Sequence, residues 1–209
     1  MCGRYTLEYH SSFNQRFSLP GTVNFESHYN ISPSQLLPII LVANGENTLQ
    51  SMRWGFIPAW AKDKSLSRQI INARVESVAH KPSFASAFRH RRCLVPASGF
   101  YEWQNSSNGK IPFYFYSRES KYFSFAGIYE NDSYTIITAA ANSTVKSIHN
   151  RMPLILAPSQ ETLWLRAPDD DPVLNSILTD APKYPLDFHP VSAAVNSPDN
   201  DNPALIKPL

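Results

Sequence analysis

The sequence predicts an α+β fold, a single domain with a curved, mainly antiparallel, barrel-like β-sheet core and peripheral helices. Short apolar and aromatic runs dominate the chain, and they do not alternate with helices in a βαβ rhythm. The 17 prolines are spread evenly instead of clustering in a linker. We therefore expect one domain over residues 1–209.

The predicted strands are short runs of β-branched and aromatic residues. The first two, residues 36–43 and 48–54, flank Asn44-Gly45, and an Asn-Gly pair between such runs predicts a β-hairpin. Further strands are predicted at residues 93–97, 100–103, 111–116, 122–128 and 134–140. Helices are fewer, and we predict them at residues 11–18, 81–90, 159–166 (with Ser159 as the N-cap) and 172–178.

Charge is divided unevenly along the chain, although the formal net charge is only +2. Residues 1–100 hold 11 Lys and Arg against 5 Asp and Glu, a net of +6, whereas residues 101–209 hold 8 against 12, a net of −4. A basic first half suits an anionic partner such as nucleic acid. An ordinary solvated surface is the alternative interpretation.

The two cysteines, Cys2 and Cys93, provide no disulfide framework, and Cys93 is interpreted as a small buried hydrophobe. Charged and polar residues interrupt any N-terminal signal peptide, and no run approaches the roughly 20 apolar residues of a membrane span. We expect a soluble monomer in the cytoplasm, associated with the nucleoid if the source is bacterial. In that reducing compartment Cys2 would remain a thiol.

Cys2 is the most informative residue, because removal of Met1 would give it a free amine beside its thiol. Before any environmental shift these groups titrate at about 7.7–8.0 and about 8.5, so both are partly nucleophilic near neutral pH. Two chemistries remain open at this point. The amine can act as a base for the thiol in acyl transfer, or amine and thiol together can capture an aldehyde as a thiazolidine.

Two residues are candidates for proton transfer. Glu102 lies in an aromatic strand, where an apolar setting raises the pKa of a carboxyl group, and it shares a strand face with Phe100. His149 is predicted in a turn that leads into a strand, because Met152 precedes a proline and is extended. A solvent-facing glutamate and a surface histidine are the ordinary alternatives.

Residues 70–76 alternate polar and apolar side chains, which predicts a strand with Asn72, Arg74 and Glu76 on one face. Such a row suggests the wall of a polar cleft, in which Asn orients a reacting group and Arg binds a phosphate or carboxylate. A solvent-facing edge strand would have the same pattern.

Aromatic and basic segments occur together in the first half. Residues 54–60 begin and end with tryptophan, and residues 89–92 are Arg-His-Arg-Arg. Such segments can form a stacking platform for unpaired bases and a groove for phosphates, although core packing explains Trp54 about as well. The His and Cys residues lack the close spacing of a zinc site, so we expect neither a metal nor another cofactor.

A series of short motifs covers essentially the whole chain: Met1-Cys2-Gly3-Arg4-Tyr5, Tyr29-Asn30-Ile31-Ser32-Pro33, Arg53-Trp54-Gly55, Asn72-Ala73-Arg74-Val75-Glu76, Gly99-Phe100-Tyr101-Glu102-Trp103, His149-Asn150-Arg151-Met152-Pro153, His189-Pro190-Val191-Ser192 and Asn196-Ser197. In this order they resemble the SOS response-associated peptidase family, also called the SRAP domain. The fold that the resemblance implies is a curved mixed sheet with flanking helices.

The resemblance implies that Cys2, once N-terminal, forms a stable thiazolidine with the open-chain aldehyde of an abasic site in single-stranded DNA. Asn72 matches the residue that holds the terminus and the sugar. Glu102 matches the acid/base near the amine, and His149 matches the residue that aids ring opening and reversal of the crosslink.

The resemblance also implies DNA contacts and a peptidase activity. Arg4 and Arg74 match phosphate contacts, Asn30 and Arg151 are placed with them at the DNA, and Trp54 lies in the segment that wedges against DNA at the lesion. The family is classed as a thiol peptidase or lyase, and the best-supported peptide substrate is the chain's own Met1-Cys2 bond.

Two other functions remain open. An N-terminal-nucleophile hydrolase is one, because class II glutamine amidotransferases also begin Met-Cys-Gly, although the later glutamine-pocket pattern is missing here. A non-catalytic binder of single-stranded DNA is the other.

Overall fold

The structure, a computed structural model, describes residues 2–61, 70–107, 109–169, 171–179 and 184–209. Its strands are β1 (Tyr5–Leu7), β2 (His28–Ile31), β3 (Leu36–Ala43), β4 (Glu46–Trp54), β5 (Asn72–Arg74), β6 (Arg92–Ala97), β7 (Gly99–Ser106), β8 (Gly109–Tyr116), β9 (Phe123–Glu130), β10 (Ser133–Ala140), β11 (Arg151–Pro153), β12 (Ile155–Leu156) and β13 (Asp187–Pro190). Its helices are α1 (Phe13–Arg16), α2 (Val75–Val78), α3 (Ala85–His90), α4 (Ser143–Lys146), α5 (Pro158–Arg166) and α6 (Pro172–Thr179), and two 3₁₀ turns follow at Ala193–Asn196 and Pro203–Ile206. Across these ranges, no helix has the length and apolar character needed to cross a membrane.

The larger of two sheets closes on itself. Its strand order is β11-β10-β4-β3-β6-β9-β12, and β10 pairs with β9 as well as with β4, which makes a ring of five strands. The pairings of β10 with β4 and β5 are parallel, and the other pairings described in this sheet are antiparallel. The expected curved, mainly antiparallel, barrel-like core is therefore confirmed.

The predicted hairpin contributes two strands of this ring. β3 and β4 pair from Leu36 opposite Arg53 to Ala43 opposite Glu46. Asn44 and Gly45 at the turn have φ angles of 51° and 81°. A two-residue type I′ turn needs these left-handed conformations, and Asn and Gly adopt them at low cost. The Asn-Gly signal thus predicted the turn correctly.

The second sheet, ordered β13-β8-β7-β1-β2, carries the N-terminal segment. β7 and β8 form a hairpin, and β1 pairs with β7 through Tyr5 opposite Phe100 and Thr6 opposite Gly99. Beyond this pairing the Tyr101 amide donates to the Arg4 carbonyl at 3.0 Å. The chain before β1 therefore continues along the part of β7 that carries Glu102.

The two sheets meet in one core at β1. The Tyr5 ring makes edge contacts with Trp54 and Phe125, at centroid distances of 5.2 and 5.8 Å. Its hydroxyl hydrogen-bonds to that of Tyr134 at 2.7 Å. Cys2, three residues before Tyr5, belongs to the same buried cluster, so core packing fixes the path of the N-terminal segment. Cys93 is also fully buried, as expected.

Three predicted helical features differ from the structure. The helix expected at residues 11–18 is only the four-residue α1, because Ser18 adopts a positive φ of 50°. The helix expected at 81–90 begins at Ala85, after a turn closed by the Phe84 amide on the Lys81 carbonyl at 2.8 Å. Ser159 is not an N-cap, because α5 already begins at Pro158, whose fixed φ favours the first helical position.

The strand predicted at residues 70–76 is also shorter. Only Asn72–Arg74 is extended, because Val75 begins α2. Asn72 and Arg74 therefore share a strand face as predicted, whereas Glu76 lies in a helix and leaves that row.

Candidate active site

Cys2 is fully buried next to β5. Its carbonyl accepts a hydrogen bond from Asn72 Nδ2 at 2.8 Å, and its Sγ lies 3.8 Å from the Arg4 carbonyl. Burial raises the pKa of the thiol well above its usual range, and the charge of Glu102 adds to the rise. The thiol is thus protonated and closed to solvent. Met1, on whose removal the aminothiol chemistry depends, lies outside the described residues.

Asn72 is held in place from two directions. Its strand pairs with β10, with Ile136 opposite Asn72, and Trp54 Nε1 donates to the carbonyl of the preceding Ile71 at 3.0 Å. The Oδ1 atom of Asn72 is buried and has no hydrogen-bond partner among the residues that the structure describes. Because a buried acceptor without a partner is costly, this oxygen is suited to a donor that arrives with the reaction.

Glu102 and His149 lie together, as two neighbouring ionisable groups. Glu102 on β7 is 3% exposed, so it is not the solvent-facing glutamate of the alternative interpretation. Its Oε2 lies 4.0 Å from His149 Nδ1. Burial raises the pKa of Glu102, and the charge of His149 counteracts part of that rise. A carboxyl group that keeps its proton to higher pH can serve as a general acid.

His149 is oriented by the elements on either side of it. Asn142 caps α4, accepting from the Val145 amide at 3.0 Å, and the His149 amide donates to the Val145 carbonyl at 2.9 Å. The ring Nδ1 lies 3.0 Å from the Arg151 amide nitrogen and 3.1 Å from the Arg151 carbonyl oxygen, so the backbone of Arg151 fixes the orientation of the ring. β11 begins at Arg151, which confirms the prediction that His149 lies in a turn leading into a strand.

A cleft of about 440 Å³ opens over these two residues. It is lined by Gly3, Arg4, Glu102, Trp103, Asn105, Lys110, His149 and Asn196. Trp103 Nε1 donates to Asn196 Oδ1 at 2.8 Å, which ties β7 to the first 3₁₀ turn. Asn105 and Lys110 were not predicted as site residues. They lie opposite each other in the β7–β8 hairpin, and its register was the signal that could have identified them.

Arg4 lines the cleft, whereas Asn30, predicted with it at the DNA, does not. Arg4 Nη1 donates to Asn30 Oδ1 at 3.1 Å and to the Val195 carbonyl at 2.9 Å, and burial lowers the pKa of Arg4. Asn30 is fully buried, so its side chain has no surface with which to contact DNA. The structure instead gives Asn30 the role of holding Arg4.

Arg74 and Arg151 differ in how much of the guanidinium is available. Arg74 is exposed, and no described residue hydrogen-bonds to its side chain. The Arg151 side chain is 15% exposed, forms an ion pair with Glu76, and donates from Nη2 to the Thr138 carbonyl at 2.6 Å. Glu76 therefore pairs with Arg151 instead of lining a cleft wall with Asn72, which corrects the prediction for Glu76.

The two tryptophans of residues 54–60 have opposite environments. Trp54 is fully buried, whereas Trp60 is 65% exposed. The prediction that Trp54 contacts DNA does not fit its burial, because its ring has no free face. Through its hydrogen bond to the Ile71 carbonyl, Trp54 instead supports the strand that carries Asn72.

Two arginines of the basic group at residues 89–92 are used by the fold, whereas Arg89 is exposed. Arg92 is buried and donates from Nε to the Trp164 carbonyl at 2.7 Å. Arg91 forms an ion pair with Glu130 at 2.7 Å. These two arginines are therefore occupied by contacts that stabilise the fold.

No cluster of three or more His, Cys, Asp or Glu side chains that could hold a metal ion occurs in the part of the chain that the structure describes. The carboxyl of Glu102 and the imidazole of His149 line the cleft, while the thiol of Cys2, near enough to Glu102 to interact with its charge, and the amide of Asn72 lie behind it. This set can hold a backbone segment and transfer protons beside a sulfur nucleophile.

Comparison with known sequences identifies relatives along the whole chain. The family profile described as "SOS response associated peptidase (SRAP)" matches residues 1–198. The chain is 39% identical over 223 residues to the abasic site processing protein YoqW of Bacillus subtilis (strain 168), with 99% of each protein covered. It is 30% identical to the abasic site processing protein HMCES of Gallus gallus, over 88% of this chain and 67% of that protein. It is 29% identical to the abasic site processing protein YedK of Escherichia coli (strain K12), over 87% and 84%.

Solved structures share the same fold. A protein from Bacteroides thetaiotaomicron superimposes with a TM-score of 0.84 at 25% identity, with 100% of both chains covered. A protein from Bordetella bronchiseptica has a TM-score of 0.75 at 22% identity, over 91% of this chain and 100% of that one. With the profile match over nearly the full length and the identity to YoqW, the chain belongs to the SOS response-associated peptidase (SRAP) family.

Proposed function

We propose that this chain processes abasic sites in DNA in the damage response, and that it does so by covalent capture of the sugar aldehyde at Cys2. Relatives at 29–39% identity that are named abasic site processing proteins support the general activity. One observation supports the capture above all others. Asn72 holds the Cys2 carbonyl at 2.8 Å while Glu102 and His149, 4.0 Å apart, line the adjoining cleft.

The first step is hydrolysis of the Met1-Cys2 peptide bond, which consumes one water and frees the amine of Cys2. This bond is the proposed substrate of the peptidase activity in the family name. Cys2 has no exposed surface. Capture therefore also requires that the thiol become accessible to the sugar.

Capture then follows as a condensation. The amine attacks the C1′ aldehyde carbon of the open-chain sugar and gives a carbinolamine, which loses water to form an imine. The thiol adds to the carbon of this imine in its protonated form, and a C–S bond forms as the thiol gives up its proton. The nitrogen of the completed thiazolidine keeps the one hydrogen left from the amine. One water is released overall, and no electrons are exchanged. Only a residue with both amine and thiol can close this ring, which is why an N-terminal cysteine is required.

The neighbouring groups would move the protons. Glu102, kept protonated to higher pH by burial, donates to the departing hydroxyl, and its carboxylate then accepts the thiol proton. His149 assists opening of the sugar ring and reversal of the crosslink. Asn72 Oδ1, a buried acceptor, receives a hydrogen bond from the freed amine or from a sugar hydroxyl.

Single-stranded DNA fits the surface around the cleft. Arg4 and Arg74 are the proposed phosphate contacts, and Arg151 joins them when its ion pair with Glu76 opens. In place of the buried Trp54, we propose that exposed Trp60 wedges against a base at the lesion. Single strands are preferred, since extracting a base from a paired duplex costs a few kcal/mol more.

The test is incubation of the protein with a single-stranded oligonucleotide that carries one natural abasic site. We expect a heat-stable adduct whose intact mass equals the protein without Met1 plus the DNA minus one water. A tetrahydrofuran analogue, which has no aldehyde, gives none. Cys93→Ala, which removes the other buried cysteine, should form the adduct like wild type, whereas Cys2→Ala should not. A Cys2→Ser protein forms at most an imine that heat reverses.

Three outcomes would reject the proposal. Equal adduct yield from Cys2→Ala would exclude capture at Cys2. Ammonia release from glutamine by the Met-free protein, with no DNA adduct, would favour an N-terminal-nucleophile hydrolase. Equal binding and protection of DNA by Cys2→Ala and wild type, again without an adduct, would favour a non-catalytic binder of single-stranded DNA.

A further inference from the structure

The C-terminal strap, residues 191–209, covers the second sheet, β13-β8-β7-β1-β2, on the face that is turned away from the main core. Val191, Val195 and Leu205 are buried there against Tyr101 and Tyr114. The last part of the strap, residues 199–209, lies beyond the residues that the family profile matches. Nothing in the mechanism above uses these residues, yet the strap reaches the cleft at Asn196.

Asp201 anchors the strap to β2. Its carboxylate accepts hydrogen bonds from the backbone amides of Tyr29 and Asn30, the latter at 3.1 Å, and lies 2.8 Å from His28 Nδ1. Two adjacent amides on one carboxylate form a charge-assisted pair that also fixes the position of the strap along the strand.

Asn30 connects the strap to Arg4 at the cleft through hydrogen bonds of its side chain. Its Nδ2 lies within hydrogen-bonding distance of three carbonyls of the strap, those of Val195, Ser197 and Asn200, at 3.2, 2.9 and 2.8 Å, and shares its two hydrogens among them. These acceptors orient the amide so that Oδ1 faces away from them. Oδ1 then accepts from Arg4 Nη1 at 3.1 Å, and the same Nη1 donates to the Val195 carbonyl at 2.9 Å.

We propose that Asp201 is a positioning residue for DNA binding, which acts through Asn30 and the strap to hold the Arg4 guanidinium at the cleft. The proposal rests on the proposed function, because it takes Arg4 as a phosphate contact. Without Asp201 the strap loses its fixed position on β2, and both acceptors of Arg4 Nη1 lose their support. Arg4 then samples many rotamers, and ordering its guanidinium when DNA binds costs conformational entropy. In the wild type the network orders the guanidinium before DNA binds.

A double-mutant cycle between Arg4 and Asp201 tests this coupling without covalent capture. All variants carry Cys2→Ala, and the probe is a labelled single-stranded oligonucleotide with one tetrahydrofuran abasic analogue. The dissociation constant is measured over a salt series, since each phosphate contact on a single strand contributes about 0.7 to the slope of log K against log salt.

We expect Arg4→Gln to lower the magnitude of this slope by about 0.7 and to weaken binding by roughly tenfold or more. Asp201→Ala should reproduce most of both effects, and the double variant should bind little worse than Arg4→Gln alone. Asp199→Ala is the matched control, because it removes the same charge from a nearby exposed residue and should keep the wild-type slope.

Additive losses in the cycle, or an equal slope for the Asp201 and Asp199 variants, would overturn the proposal. A lower Tm for Asp201→Ala with an unchanged salt slope would show that Asp201 only stabilises the fold, and this result would also overturn the proposal. If Asp201→Ala does not fold, Asp201→Asn, which keeps one acceptor oxygen, is judged by the same criteria.

The cycle separates this proposal from the capture chemistry. Coupling between Arg4 and Asp201 without any adduct from the protein with intact Cys2 would reject the capture and retain the positioning role. An adduct from wild type with no coupling in the cycle would retain the capture at Cys2 and reject the positioning role of Asp201.

Discussion

Asn72 Nδ2 donates to the backbone carbonyl of Cys2 at 2.8 Å, so a side chain on β5 holds the residue whose amine the proposed removal of Met1 would free. This carbonyl belongs to the peptide bond between Cys2 and Gly3, on the far side from the bond that is broken when Met1 leaves. Under the proposed removal of Met1 this hydrogen bond would remain and would keep the freed amine in the site. The remaining amide oxygen, Oδ1, is buried and has no hydrogen-bond partner among the described residues, and we propose that it accepts from the freed amine.

Replacement of Asn72 by Asp should slow adduct formation about 10- to 100-fold at saturating DNA. The variant keeps the shape of the side chain but loses the donor, and leaving a buried carbonyl unsatisfied costs about 1–3 kcal/mol. Single-turnover rates from denaturing gels measure the effect. Asn175→Asp, an exposed change on α6, is the control for the added charge and should react at the wild-type rate. Similar rates for the two variants would contradict the role of Asn72.

Glu102→Gln should slow capture by about 10²- to 10⁴-fold, the usual range for loss of a general acid. Because burial raises the pKa of Glu102, the wild-type rate should fall as pH increases through that raised value, where the carboxyl group loses its proton. The Gln variant cannot lose a proton there and should lack this part of the profile. Single-turnover rates over a pH series decide the matter, and identical profiles for both proteins would exclude Glu102 as the acid.

The same carboxyl group should reduce the stability of the fold at neutral pH. Its folded pKa lies above the unfolded value of about 4.3, so the native state binds the proton more tightly. Its favourable contribution is complete below about pH 4.3 and is lost as pH rises through the folded pKa. Glu102→Gln should therefore have a higher Tm than wild type at neutral pH, and the difference should shrink toward about pH 4.

Thermal denaturation over a pH series measures this difference. Exposed Glu119→Gln serves as the control and should change Tm little at any pH. A Tm difference between Glu102→Gln and wild type that stays constant with pH would show that titration of Glu102 is not its cause.

The barrel strands were predictable because their signals are local. The run at residues 36–43 coincides with β3, and Asn44-Gly45 marks its turn. By contrast, β1, β2 and β13 have three or four residues each and were not predicted. Too few residues alternate in such strands for a periodic pattern. Their pairing depends on distant partners, such as Tyr5 with Phe100 and His189 with Tyr114.

Residues with catalytic potential were easier to predict from the sequence than the burial of individual side chains. Cys2, Glu102 and His149 could be singled out because a nucleophile at position 2, a carboxyl group among aromatic residues and a histidine beside a proline-marked strand are unusual in themselves. The motif around Trp54 is compatible with a buried ring and with an exposed one, so it does not predict the burial of this side chain. Asp201 has no local signal at all, since its amide partner Asn30 lies 171 residues away in the sequence.

The two tryptophans of the 54–60 segment should separate stability from DNA binding. Trp54→Ala removes a fully buried ring and should cost about 3–5 kcal/mol of folding free energy. Trp60→Ala should leave Tm nearly unchanged and weaken binding to single-stranded DNA about 5- to 100-fold, because a stacked base contributes about 1–3 kcal/mol. Thermal melts and fluorescence anisotropy measure the two effects. Wild-type affinity for the Trp60 variant would remove Trp60 from the proposed wedge.

Glu76 should compete with DNA for Arg151. The Glu76 side chain is 56% exposed, and its hydrogen bond from Arg151 lowers its pKa, so at neutral pH it presents a full negative charge to the guanidinium. A phosphate can use Arg151 only by displacing this carboxylate. Glu76→Gln should therefore tighten binding to single-stranded DNA several-fold and steepen the salt dependence by about 0.7 in slope.

A gain through Arg151 requires Arg151 to be present. Glu76→Gln combined with Arg151→Gln should bind no better than Arg151→Gln alone, because no guanidinium remains to be released. Glu46→Gln, an exposed change in the β3–β4 turn region, controls for the loss of one negative charge. If Glu76→Gln binds no tighter than Glu46→Gln across the salt series, Arg151 only stabilises the fold through its contacts with Glu76 and Thr138. The proposed phosphate contacts are then limited to Arg4 and Arg74.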